Sequence, residues 1–212
     1  TETTKIYTLS LHDALPILVA SSKEKDRINR KSSAYKAESE KLQEDNPGMV
    51  VWKKIKTSGF GVGRNLRFGD LNNDGEIDVL IGQVMHHNWP SDSHSEVSCL
   101  TAMTFEGDIL WQKGIPDPEK DHLTNDVGFQ IHDIDNDGKN EVIYCMNFEI
   151  IIADGETGET RFKAPTPLSR RDKDKFHQIL GDCLFFFDAE GKGYDSNILI
   201  KDRYWNFWVM NS

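Results

Sequence analysis

The chain has 212 residues, room for one sizeable domain or most of one, and its 35 acidic against 25 basic side chains leave a formal net charge of −10. That balance argues against a nucleic-acid partner, which asks for a basic surface. No apolar run approaches the roughly 18–20 residues of a membrane span. The three cysteines, Cys99, Cys145 and Cys183, make no disulfide framework and read as buried free thiols beside apolar runs.

In chain order, Ile6 to Ile17, IYTLSLHDALPI, resembles translated sequencing-adapter read-through. Residues 1–17 are therefore expected to be non-native, and His12 and Asp13 receive no functional weight. Leu18-Val19-Ala20-Ser21-Ser22 reads either as the tail of a secretory signal or as an internal segment. Ser22 to Asp45 is highly charged with few large apolar residues, which predicts a solvated helix or a disordered lead-in. Asn46-Pro47-Gly48 breaks it, so residues 18–48 form a polar lead-in or linker.

From Met49 the texture changes to short strands separated by turns. The first unit reads Asn65–Gly69, an acidic loop 70–78, Val79–Gly82, a long loop, Cys99–Phe105, a Glu106-Gly107-Asp108 turn and Ile109–Gln112. The second reads Val127–His132, an acidic loop 133–141, Val142–Cys145, Ile150–Ala153, a turn over 154–158, and Glu159–Lys163. The third reads Leu184–Phe187, a loop from Asp188, Ile198–Lys201 and Asn206–Met210. Four short strands at this period predict propeller blades, at about 61–114, 126–166 and 177–212. The expected fold is all-β: a fragment, about two and a half four-stranded blades, of a larger β-propeller over 49–212, with a polar N-terminal lead-in.

The acidic loops carry the clearest chemistry. Asp133, Asp135, Asp137 and Glu141 surround Gly138; Asp70, Asn72, Asp74 and Asp78 surround Gly75. Alternating side-chain oxygens around a glycine suit a hard cation that takes about six to eight oxygen ligands. Glu76 and Lys139, at the seventh loop position, complete the two candidate sets. The flanks are apolar strands and the loops are short, which excludes an EF-hand. An Asp/Asn/Gly-rich hairpin turn without metal is the alternative. Oxygen-only ligands favour Ca²⁺, held structurally in two loops, over zinc. In the third loop Asp188, Glu190 and Lys192 take the corresponding places, and the Lys192 ammonium replaces a ligand oxygen. No metal is expected there; Lys192 is expected to act as an internal counter-ion.

Strand alternation puts the acidic loops at one end of the sheets and the second–third and unit-to-unit connections at the other. That other end collects His86 and His87 in a long loop, Trp89, His94, His122, Arg170, Arg171, Arg203, Tyr204 and Trp205. Loops held by a rigid scaffold tend to carry function. Adjacent residues of an extended backbone point opposite ways, so one of His86 and His87 is expected to face the functional end. An imidazole there can serve as general base or acid. Arg203 reads as a clamp for a substrate carboxylate or as an ion pair with Asp202. Tyr204 reads as a proton donor or a packed strand-edge residue. Trp89 and Trp205 are candidate sugar platforms, and Trp111 and Trp208 core residues. His132 is expected to support its acidic loop.

The segments GDLNNDGEIDVLIG and HDIDNDGKNEVIY resemble the FG-GAP/VCBS-type repeats of integrin-like β-propellers, which implies calcium in the loops. The His86-His87 loop, the segment His122-Leu123-Thr124-Asn125-Asp126 and LIKDRYWNFW (Leu199 to Trp208) resemble the seven-bladed propeller polysaccharide lyases of the ulvan, rhamnose–glucuronate and rhamnogalacturonan group. The resemblance implies a secreted, periplasmic or cell-surface protein that cleaves an acidic, uronate-containing polysaccharide by β-elimination. It implies His87 or His86 as base or acid, Arg203 as the carboxylate neutraliser, and Tyr204 and His122 as further members of the site. Trp89, Trp205 and Arg171 would bind substrate. A phenylalanine run precedes the third loop where some relatives carry a tyrosine. A non-catalytic propeller for adhesion or carbohydrate binding is the alternative.

Overall fold

A computed structural model describes residues 22–45, 48, 52–57, 59–61, 65–87, 95–120, 123, 125–169, 176–202 and 206–211. The chain divides into two compact units, Thr1–Lys54 and Ile55–Ser212. The first holds α1, Ser22–Asp45. Its residues are mostly Lys, Glu, Arg, Ala and Ser with no Gly or Pro, so backbone propensity supports a helix that has no apolar stripe. The described side chains from Ser32 onward are almost all exposed, and Lys36 lies 3.9 Å from Glu40 one turn on. Among the described residues no helix is long and apolar enough to cross a membrane.

The second unit is built from three antiparallel sheets, each in sequential strand order. The first comprises β1 (Leu66–Gly69), β2 (Asp78–His86), β3 (Ser95–Met103) and β4 (Ile109–Gly114). The next comprises β5 (Phe129–His132), β6 (Glu141–Met146), β7 (Glu149–Asp154) and β8 (Thr160–Pro165). The last comprises β9 (Cys183–Phe187), β10 (Asn197–Lys201) and β11 (Phe207–Asn211). Among the described residues no sheet closes into a barrel. The pairs Gly69–Asp78, His132–Glu141 and Phe187–Asn197 close the three acidic loops at the same register position.

Burial explains the apolar runs. In β6, Val142 and Tyr144 pack in one cluster with Leu80, Val84, Val97 and Leu100 of the first sheet. Ile143 and Cys145, on the other side of the same strand, pack with Leu184, Ile198 and Ile200 of the third. A strand buried on both faces is apolar throughout rather than alternating. Phe60, Val79, Ile81 and Met103 form a third cluster. The first strands of the three sheets are neighbours. Arg67 Nε donates to the Phe129 carbonyl at 3.1 Å and to Gln130 Oε1 at 2.9 Å, and Gln130 Nε2 donates to the Leu184 carbonyl at 3.3 Å. Gly82 lets Phe129 approach, since a Cβ there would lie 2.8 Å from the ring.

One expectation changes. β2 continues to His86, which pairs with Ser95, so His86 ends a strand rather than lying in a long loop. The extension depends on pairing with β3 past a bulge at Gln83/Val84. Trp111 packs against the first core cluster from β4, half-buried, and its indole Nε1 donates to the Gly155 carbonyl at 2.8 Å, tying the outer strand of the first sheet to a turn of the second. Residues 1–17 lie outside the described residues.

Candidate functional site

At one end of the sheets the three acidic loops share a backbone scheme. Asp70 accepts the amides of Asp74 and Gly75 at 3.2 and 2.9 Å; Asp133 accepts those of Asp137 and Gly138 at 3.0 and 2.9 Å. Asp188 accepts those of Lys192 and Gly193 at 2.9 and 2.7 Å, and these bonds hold its carboxyl below the usual aspartate range. Asn73 and Asn136 both stand at φ 60, a left-handed conformation that Asn tolerates well. The last loop position closes each ring: Asp78 accepts the Leu71 amide, Glu141 the Ile134 amide and Asn197 the Ala189 amide. The side chain that closes the loop thus changes from Asp to Glu to Asn while the same hydrogen-bonding scheme is kept.

In the second loop Asp133, Asp135 and Glu141 bring carboxylate oxygens within 4.8 Å of one another, an arrangement that can hold a metal ion. The donors are all oxygen, with one buried carboxylate among them, which suits a hard cation. Asp137, its amide bound to Asp133 and Asp135, and Lys139 are exposed. In the first loop Asn72 replaces one carboxylate; its Nδ2 donates to Asp74 Oδ2 at 2.9 Å. Glu76 is exposed, and its amide donates to Asp74. In the third loop Lys192 Nζ lies 2.7 Å from Glu190 Oε2, and this bond raises the Lys192 pKa. An ammonium therefore stands at the position that Asp74 and Asp137 hold in the other two loops.

Sequence reasoning missed Arg161. Its Nη1 is 2.6 Å from Glu141 Oε1 and its Nη2 is 2.7 Å from Asp154 Oδ2, with Asp135 at 3.9 Å. The bulge between the third and fourth strands places Arg161 here; the corresponding bulge of the first sheet holds Leu110. Glu141 is 1% exposed. Burial pushes its carboxyl up to about 7, the Asp135 and Asp137 charges add to the rise, and the Ile134 amide and Arg161 oppose it. Its folded value lies above the ordinary 4.5, so its contribution to stability is fully present below 4.5 and is lost as pH rises through about 7. Glu141→Gln is expected to remove that slope from the ion-free protein, measured by urea unfolding at about pH 5 and about pH 8. An unchanged slope would show that Glu141 does not titrate in this window.

The opposite end holds His86 and His87, which point different ways. His86 Nε2 lies 3.1 Å from Asn125 Oδ1, and Asn65 Nδ2 donates to the Asn125 carbonyl at 2.9 Å. His87 Nε2 lies 3.0 Å from Glu96 Oε1, with the Glu96 side chain 3% and the His87 side chain 19% exposed. The other carboxylate oxygen of Glu96 accepts the Asn147 amide at 3.0 Å. Phe176 meets the His87 ring edge-on at 5.2 Å between centroids, and Phe148 lies tilted at 6.1 Å. Glu96, Phe148 and Phe176 were not candidates from the sequence. Trp89, His94, His122, Arg170, Arg171, Arg203, Tyr204 and Trp205 lie outside the described residues. The described part of this end also carries Asp126, Asp182 and Asp202, at the starts of β5 and β9 and the end of β10. His132 stacks on Phe186 at 4.5 Å and reaches the Asp195 carbonyl of the third loop at 2.7 Å, bracing the loop after its own.

Comparison of the chain with protein-family models, with curated protein sequences and with solved structures finds no match in any of the three.

Proposed function

We propose that the chain is part of a calcium-stabilised β-propeller of the FG-GAP/VCBS kind, exported or displayed at the cell surface. Its histidine end acts as a lyase on an acidic, uronate-containing polysaccharide. The propeller reading is supported by three successive antiparallel sheets with neighbouring first strands and one loop scheme used three times. Calcium in the first two loops is supported by their oxygen-only donors.

The observation that carries the activity is the half-buried His87 beside the buried Glu96, held by aromatic rings at the end away from the acidic loops. A carboxylate-backed imidazole suits a proton transfer near neutral pH. In the proposed reaction His87 removes the proton from C5 of a uronate. The C5–H electron pair becomes the C4=C5 double bond, the C4–O4 bond breaks, and O4 leaves as a hydroxyl after taking a proton. Arg203 would offset the substrate carboxylate, and Tyr204 or His122 would supply the proton to O4. Trp89, Trp205 and Arg171 would hold the sugar chain.

The test is the ultraviolet absorbance of unsaturated uronate when the protein meets ulvan, rhamnogalacturonan or gum arabic. A rise supports lysis. Polymer binding without any rise favours a non-catalytic carbohydrate- or protein-binding propeller.

A further inference from the structure

We propose that Arg161 is a resident cation of the second acidic loop: calcium has to take Glu141 from it, so Arg161 sets how tightly that loop binds the ion. This rests on the reading of the loop as a calcium site. Arg161 is the extra residue of the bulge in β8, since Phe162 pairs with Ile152 and Thr160 with Ala153. A bulge re-aims the side chain it carries. One nitrogen, Nη1, lies 2.6 Å from Glu141 Oε1 and 3.9 Å from Asp135 Oδ2. With Asp133, these are the residues whose carboxylate oxygens gather within 4.8 Å of one another. The guanidinium thus faces two of the three carboxylates that a bound ion would use. The Glu141 side chain is 1% exposed, and its Oε2 already accepts the Ile134 amide at 3.1 Å. Oε1 is therefore the oxygen for which guanidinium and ion compete. An ion that takes it brings its own charge against Nη1, and like charges at close range away from bulk water repel strongly.

Arg161 also has a place to stay when the ion enters. Its Nη2 donates to Asp154 Oδ2 at 2.7 Å. Asp154 is itself fixed, because its Oδ1 accepts the amide and the hydroxyl of Thr157, both at 2.9 Å. The guanidinium can release Glu141 and keep Asp154. The other two loops show that the arginine is no part of the shared loop scheme. In the first sheet the bulge holds Leu110, which packs on the first core cluster. There Asp78 is the buried carboxylate at the place of Glu141, and among the described residues no basic side chain pairs with it. In the third loop that place is the neutral Asn197, and the cation is the loop's own Lys192. An arginine needed to build the loop would be needed in all three, since all three keep the same backbone bonds. Arg161 acts on the charge of one loop.

The experiment titrates the ¹⁵N-labelled full chain, stripped of ions by a chelator, with calcium chloride at about pH 8 and about 0.1 M salt. Calorimetry reads the affinities. The Gly75 and Gly138 amides, each bonded inside its own loop, assign them to the first and second loops. Arg161→Gln is expected to tighten the second loop about tenfold or more and to leave the first within about twofold. In chelator it is expected to melt about 5 °C or more below the wild type, because Glu141 loses its buried partner, and calcium is expected to close that gap. Lys163→Gln removes the same charge from the same strand, where Lys163 pairs with Glu149 at 2.9 Å, and is expected to leave both loops within about twofold. Arg161→Leu, which copies Leu110, is the second variant. In the wild type the Arg161 Nε signal is expected to move together with the Gly138 amide. An arginine signal that stays still while Gly138 moves would overturn the proposal, whatever the variants do. Gly138 moving with equal or weaker affinity in Arg161→Gln would overturn it alone and leave the calcium reading intact. No movement of Gly138 in either protein up to millimolar calcium would remove the calcium reading of this loop and the proposal with it.

Discussion

His87→Ala is expected to lower the release of unsaturated products by about a hundredfold or more, the range that a positioned general base contributes, while polymer binding stays within a few-fold. The imidazole is the one group among the described residues at this end that combines a buried carboxylate partner with a walled ring. Deleting it also leaves Glu96 buried with the Asn147 amide, which costs about 1–3 kcal/mol of stability. A loss of activity must therefore be read on protein shown by thermal melting to be folded. His87→Gln, which keeps a polar group near Glu96, serves as the second variant. Turnover retained in both variants would remove His87 from the chemistry.

Phe129→Ala is expected to destabilise the second unit by about 3–5 kcal/mol, the usual cost of emptying a buried phenylalanine site. The ring is fully buried on the first strand of the middle sheet. Gly82 of β2 abuts it, and the Arg67 guanidinium lies 4.6 Å from the ring centre. Burial pulls the Arg67 pKa down, with Asp126 and Cys183 opposing, and its Nε donates to the Phe129 carbonyl. Removing the ring leaves a cavity between two sheets and takes the π-face from the cation. Phe162→Ala, on an outer strand where the ring is 57% exposed, is the control and is expected to change stability by about 1 kcal/mol or less. Urea unfolding measures both. Equal, small losses would mean that the first two sheets are not packed through Phe129.

The acidic loops were legible because their chemistry is local. Asp70, Asp133 and Asp188 each accept amides four and five residues ahead, and Asn73, Gly75, Asn136 and Gly138 stand where the backbone turns left-handed. Such demands appear as spacing in one short window. The expectation that Lys192 is an internal counter-ion came from the same register, and its contact with Glu190 agrees. The strands were legible from their β-branched runs, with ends displaced by a residue or more where pairing sets them. Arg161 was not legible: it reaches Glu141 across a hairpin, and nothing near it in sequence says which way a lone arginine on an outer strand points. Glu96 was hidden for the same reason. A glutamate beside Val97 reads as a solvated strand end until β3 is paired with β2 and the Asn147 turn is brought over it. The end of β2 was misplaced because only the long-range partner Ser95 makes His86 part of a strand.

The division of labour between the two ends is tested most directly by adding ulvan oligosaccharides to the ¹⁵N-labelled full chain in saturating calcium and following backbone and imidazole shifts. The account predicts perturbations centred on His86, His87, Asn125 and Phe148, with residues 70–78 and 133–141 unmoved. Shifts centred on the acidic loops, or no shifts at any oligosaccharide concentration, would contradict it.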